Sequence, residues 1–347
     1  MTIRTRQKRA GNGRKILPLL LLGLVIAVSG LGFPSRLDAT GASPLIPKVA
    51  TTGLELRASA APDTLESFVR LTMEKLSKDS LFKNWNGAEG RYYPLGPGTH
   101  GWLVNVMKGE QRIGYLIIAA KEDGGYVVSE YGAGNEGLPY SLTDLRQTLV
   151  QSGIITSNYS GSIELTPLYL PLLPLWEVVI KGKKVYMNAA LPEVLPWNTS
   201  KVELMLHSAD KETEIAPIQN LSMPQAAYRS GISSDPYDNL LWLTSPKQPL
   251  IKDELYPALL QHVGRFVFKS SAANEDFGAP LTLTGYQLWV TPGDAQGLKS
   301  AQSQTKVIAY AAAGPQGNRF LPLSLLQKKG SLHAAPSSDK NNIEDFN

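Results

Sequence analysis

The sequence predicts an α+β fold in which helices lie on antiparallel meander sheets. Three observations predict it. Strand-like apolar runs outnumber helical ones. Short glycine-containing breaks separate those runs, as hairpins require and parallel crossovers do not. A helical pattern precedes each of the first two groups of strands.

The folded part opens at Asp63. Leu65, Phe68, Val69, Met73 and Leu76 recur at helical spacing, and Asp63 with Glu66 has capping-box spacing, so residues 64–77 form an amphipathic helix. Strand-like runs follow at Trp102–Met107, Arg112–Ala120 and Tyr126–Tyr131, with turns at residues 108–111 and 123–125. Residues 63–140 are therefore a first helix-plus-meander module. Residues 141–200 repeat the order. A helix over Ser141–Gly153 precedes runs at Ser162–Tyr169, Leu175–Ile180 and Lys184–Asn188. Trp102-Leu-Val-Asn-Val-Met-Lys-Gly109 and Trp176-Glu-Val-Val-Ile-Lys-Gly182 form a weak internal repeat, offset by one residue. A C-terminal α+β domain spans 224–334. It holds the aromatic stretch Tyr237–Thr244 and a helix over Lys252–Val263 that Pro257 must open or break. Strands follow at Arg265–Lys269, Leu281–Val290, Val307–Ala312 and Arg319–Leu323, then a short helix over Leu323–Lys329 that Gly330 stops. Residues 34–62 are a linker and 335–347 a disordered tail.

The 347 residues carry 34 Lys+Arg against 30 Asp+Glu, a net charge of +4. Six of the positive charges lie in residues 1–15, which hold no acid, so the remainder is 4 − 6 = −2. The basicity belongs to a leader and not to a nucleic-acid-binding surface. Residues 16–33 are an uncharged apolar run. A basic leader before such a run is a signal peptide or a single-pass transmembrane signal anchor. Either one puts the chain beyond it on the outer side of a membrane, tethered if residues 16–33 stay and secreted if they are cleaved. The chain has no Cys, which excludes disulfides, thiolate nucleophiles and Cys-based zinc sites.

Trp102-Leu-Val-Asn-Val, Gly114-Tyr-Leu-Ile-Ile-Ala and Tyr126-Val-Val-Ser-Glu-Tyr-Gly132 resemble a pattern in bacterial exported proteins. It is similar to the pro-region-like modules of some secreted cysteine peptidases and to PepSY-like and half-cystatin modules. Trp176-Glu-Val-Val-Ile through Tyr186-Met-Asn-Ala-Ala resembles the strand pair of a PepSY-like unit. The resemblance implies a module that covers or inhibits a peptidase, or binds other envelope components. Leu283-Thr-Gly-Tyr-Gln-Leu-Trp289 and Arg319-Phe-Leu-Pro-Leu-Ser resemble a papain-like core of the bacteriocin-processing kind. That family places a His near such a strand and needs a Cys. This chain has Gln287 in that neighbourhood and no Cys, so the resemblance implies a dead peptidase.

No motif assigns a catalytic residue, a cofactor site or a metal site. Gly132-Ala-Gly134-Asn-Glu-Gly137 matches a dinucleotide fingerprint, but Leu138-Pro139 follows where a helix should open, so a strand-exit loop fits better. His100, His207, His262 and His333 are scattered, and Asp235-Pro-Tyr-Asp238-Asn239 fits a turn better than a calcium loop. Trp102, Tyr237, Trp242 and Trp289 are the candidate partner-binding aromatics, against the alternative that they fill sheet cores. The expected function is non-enzymatic: a binding, inhibitory or structural module acting on another envelope protein. The alternative is a hydrolase that uses Ser, Asp, Glu or His, or a peptidase-derived pseudoenzyme.

Overall fold

The computed structural model describes residues 54–96, 100–121, 124–210, 218–219, 222–271, 280–291 and 306–335. Helix α1 spans Asp63–Leu76 and buries Leu65, Phe68, Val69, Thr72, Met73 and Leu76, a single stripe at helical spacing. The expected capping box does not form. Pro62 is the N-cap, and its carbonyl accepts from the Leu65 and Glu66 amides. Asp63 and Glu66 stand inside the first turn, where negative charge opposes the positive helix end.

A 3-10 turn, Ser80–Trp85, then buries Phe82 and Trp85. Four strands follow: β1 (Glu89–Pro94), β2 (Gly101–Lys108), β3 (Gln111–Ala120) and β4 (Tyr126–Ala133). Helix α2 (Leu142–Gln151) begins at Ser141, whose hydroxyl accepts from the Asp144 amide. Strands β5 (Ile163–Leu170), β6 (Leu173–Ile180), β7 (Lys183–Asn188) and β8 (Glu193–Leu195) form a four-stranded antiparallel sheet, followed by α3 (Thr199–Asp210). The remaining elements are β9 (Met223–Arg229), a 3-10 turn at Leu240–Leu243, α4 (Tyr256–Val263), β10 (Phe266–Ser270), β11 (Leu281–Thr291), β12 (Lys306–Ala313), β13 (Arg319–Pro322), α5 (Leu323–Lys329) and β14 (Gly330–Ala334). Pro257 sits in the first turn of α4, where its missing N–H costs nothing, so it opens the helix.

The fold class is α+β with antiparallel sheets, as the sequence predicts. The large sheet has the order β1-β2-β3-β4-β13-β12-β11-β10-β14, with β9 also on β11. Strands expected in the 63–140 module and in the 224–334 domain thus share one sheet, joined where Gly132 pairs with Arg319 and Tyr131 with Phe320. A Cβ on Gly132 would strike the Asn318 carbonyl and the Tyr115 ring, so glycine permits this join.

Alternate residues of the large sheet feed opposite cores. Val104, Val106, Leu116, Ile118, Tyr310 and Ala312 pack with α1 and with the aromatics Phe82, Trp85, Tyr131, Trp289 and Phe320. On the other face, Leu103, Tyr115 and Ile117 meet α2 and Trp176, Val178 and Met187 of the small sheet. Ala309, Ala311, Ala313 and Leu321 of that face meet α4 and α5.

The offset in the weak repeat has a physical cause. Lys108 still pairs with Gln111, leaving Gly109-Glu110 as the turn, whereas Lys181-Gly182 are themselves the turn between Ile180 and Lys183. The expectation of a transmembrane, single-pass protein is corrected. No helix among the described residues is long and apolar enough to cross a membrane, and residues 16–33 lie outside them. The expected leader 1–15, most of the linker 34–62 and nearly all of the tail 335–347 also lie outside the described residues.

Candidate functional site

Two features stand out from an ordinary sheet core. The first is a buried ion pair. Glu130 on β4 is 0% exposed and Arg319 on β13 is 4% exposed. Arg319 Nε donates to Glu130 Oε1 at 3.0 Å and Nη2 donates to Oε2 at 3.1 Å. Tyr115 OH donates to Oε1 at 2.5 Å and Tyr169 OH to Oε2 at 3.1 Å. Arg319 Nη2 also donates to the Leu172 carbonyl at 3.3 Å, in the turn between β5 and β6. The node therefore ties β3, β4 and β13 of the large sheet to the small one.

Its electrostatics follow from burial. Burial, reinforced by the Glu130 charge, pushes the hydroxyls of Tyr115, Tyr140 and Tyr169 well above their ordinary pKa, so all three stay neutral donors. Burial works against the charge of Arg319, but Glu130 outweighs it and holds that pKa above its ordinary value. Backbone strain collects here too. Tyr140 (φ 62°) and Leu172 (φ 73°) are buried non-glycine residues in the left-handed region. Tyr140 OH donates to the Leu168 carbonyl at 2.6 Å, which helps hold the strained turn. Four donors saturate the Glu130 carboxylate and no solvent reaches it. A general base needs a free lone pair and a substrate path, so this arrangement fits a staple and not a catalyst.

The second feature is an exposed apolar ledge. Leu240, Leu241 and Leu243 are 51%, 61% and 51% exposed on the second 3-10 turn, and Tyr237 beside them is 56% exposed. Trp242 between them is 3% exposed and packs on Val267 and Ala335. Its Nε1 donates to the Pro236 carbonyl at 2.8 Å and its ring meets His333 edge-on at 6.0 Å. Side-chain oxygens of Asp235 and Asn239 accept from the Tyr237 and Leu241 amides, at 2.8 and 2.9 Å. One buried indole and two side-chain caps thus hold three leucines outward.

Of the four aromatics marked in the sequence, only Tyr237 is on the open surface. Trp289 is 0% exposed and donates from Nε1 to Tyr131 OH at 3.0 Å, so it is a core residue and offers a partner no face. Trp242 is likewise interior and acts by holding its neighbours out. Trp102 lies half-buried on β2 against the α1 core. Gly132, Gly134 and Gly137 form a strand exit and loop, and none opens α2.

The histidines remain apart. His100 and His262 are exposed, and among the described residues neither side chain finds a hydrogen-bond partner. His333 Nε2 meets Ser331 Oγ at 3.0 Å, and its Nδ1 meets the Ser245 carbonyl at 2.9 Å. Among the described residues no carboxylate completes that pair. Among the described residues no group of three or more His, Asp or Glu side chains is placed to hold a metal ion. No protein-family model, no curated protein and no solved structure matches this chain.

Proposed function

We propose that this protein is a non-enzymatic binding module on the outer side of the bacterial envelope, and that it grips its partner through the ledge of Tyr237, Leu240, Leu241 and Leu243. One observation carries the reading: three leucines more than half exposed on a turn fixed from within by a buried Trp242. Scattered exposed leucines are ordinary, but several adjacent ones on a preformed protrusion match an interface anchor held ready at low entropic cost. Surface complementarity suits the site better than strand addition. The Ser59 amide bonds the Tyr92 carbonyl on the open side of β1, and Gln248 bonds Leu332 beside β14.

The test is capture from lysed envelope of the source organism by tagged protein, against the variant Leu240→Ser/Leu241→Ser. A partner bound by the native chain and lost by the variant, with folding unchanged, supports the reading. A partner held equally by both overturns the ledge as the site. A second reading, a hydrolase, draws on the Ser331–His333 contact. It requires turnover of an envelope peptide or glycan by the pure protein that Ser331→Ala abolishes.

A further inference from the structure

The large sheet has a third outer edge, because β10 and β9 share one side of β11. β10 takes Leu281–Leu283 and β9 takes Gly285–Val290. β14 lies on the far side of β10, but among the described residues no strand lies on the far side of β9. The edges of β1 and β14 each have neighbouring chain bonded to them, at Tyr92 and Leu332. For β9, among the described residues, no hydrogen bond reaches the outer side.

The pairing decides which groups stand open. The Ser230 amide donates to the Thr284 carbonyl at 3.2 Å, and the Ala226 carbonyl accepts from Gln287 Nε2 at 3.0 Å. Residues 226, 228 and 230 therefore turn their backbone groups toward β11. By alternation Ala227 and Arg229 turn both N–H and C=O outward. Pro224 and the bulge beside it blunt only the start of the strand. Gln225-Ala-Ala-Tyr228 holds neither a charge nor a proline. Exposed apolar side chains accompany this edge: Met223 is 46%, Tyr228 42% and Ile232 67% exposed. An open edge of this composition is a template for another strand.

We infer that β9 pairs antiparallel with β9 of a second copy of this chain, about a two-fold axis at Ala227. The strand is self-complementary in that register. Ala227 meets its own counterpart, and the two exchange both backbone bonds. Tyr228 falls beside Ala226 of the second copy, a large side chain against a small one. Arg229, the only charge of the strand, falls beside Gln225, so no like charges meet. Met223 comes opposite Gly231, next to Ile232, so exposed apolar groups cover one another. A two-fold axis needs this one patch only, and it joins two ten-stranded sheets into one. The contact is small, so the dimer is weak. The inference is independent of the ledge.

The experiment is analytical ultracentrifugation of the full-length protein from about 1 to about 500 µM. The expected result is a concentration-dependent dimer and nothing larger, because the two-fold axis uses up the edge. Ala227→Pro removes an outward N–H and no bond to β11, so it should weaken the dimer at least about tenfold with the melting temperature unchanged. Gln225→Lys sets a like charge opposite Arg229 twice per dimer and should weaken it about three- to tenfold, whereas Gln225→Glu should strengthen it by a similar factor. Gln225 is exposed, so these two variants decide the matter if the proline variant fails to fold. A monomer at every concentration overturns the inference, and so does a dimer indifferent to the charge at position 225. A dimer lost in Leu240→Ser/Leu241→Ser but kept in Ala227→Pro lies on the ledge and overturns it as well.

Discussion

Removing one member of the Glu130–Arg319 pair should be among the most damaging single changes in this chain. In Arg319→Met the carboxylate loses both charge-assisted bonds and keeps only Tyr115 and Tyr169. In Glu130→Gln the side chain keeps one accepting oxygen but turns a second set of donors toward the guanidinium and the tyrosines, so Arg319 loses its only negative partner and its charge stays buried at 4% exposure. Each change strands a buried charge, a loss of about 3–5 kcal/mol. The double variant strands none, so it should cost clearly less than the sum, with a coupling of at least about 1 kcal/mol. Urea unfolding at pH 7 measures all four species, with unchanged slopes as the check that two-state behaviour survives. Hydrogen exchange should also show β5 and β6 opening first, because Tyr169 and the Leu172 carbonyl are their ties to the node. Single variants costing under about 1 kcal/mol, or strictly additive losses, would refute the reasoning.

Other changes test the remaining features. Leu240→Ser/Leu241→Ser should stay within about 0.5 kcal/mol of native per site, whereas Trp242→Ala should cost about 3–5 kcal/mol, since only Trp242 is buried; equal losses in denaturant melts would disprove the division of roles. Gly114→Ala should destabilise by about 1–3 kcal/mol, because its Cβ would lie 2.5 Å from Trp85 Cζ2 and 2.8 Å from the Gly132 carbonyl. A neutral thermal shift contradicts that. Burial pushes Tyr92 up to about 12 and holds Tyr115, Tyr131, Tyr140 and Tyr169 well above the usual value of 10. Folding therefore favours the protonated phenols. That contribution is complete below pH 10 and is lost as pH rises from 10, through about 12 for Tyr92 and beyond for the others. Denaturation midpoints should fall above about pH 10; phenolate absorbance growing there for all the tyrosines of a still-folded chain would contradict it.

Much of the secondary structure is legible in the sequence, because α1 and strands β2–β4, β6, β7, β11 and β12 show their periods openly. β1, Glu-Gly-Arg-Tyr-Tyr-Pro, does not, and neither does β9, whose residues alternate little between core and solvent. Their pairing comes from neighbouring strands. Gly330 does stop α5 as its C-cap, but it also opens β14, a strand the sequence does not show, and its missing Cβ lets that strand lie against the Lys269 carbonyl and the Phe268 ring. The join of β4 to β13 rests on two residue pairs and a bare glycine, which leave no compositional trace. The ion pair leaves only a faint signal: Glu130 is the one charge in the run Tyr126–Ala133, and Arg319 stands between a turn and the apolar run that opens at Phe320. Nothing in one sequence says that positions 189 residues apart answer each other. Trp242 and Trp289 take the core alternative weighed in the sequence, because an indole signals burial as strongly as recognition.

That separation governs how the chain can be made. During synthesis β4 exists long before β13, so its outer edge waits open while nearly two hundred residues emerge. The aromatic core beneath it also lacks Phe320 and Tyr310 until then. Such high contact order makes folding slow and leaves a sticky intermediate. A chain truncated before Lys306 should survive only as a client of chaperones, and the last thirty residues of the described fold act as the clasp that releases it from them.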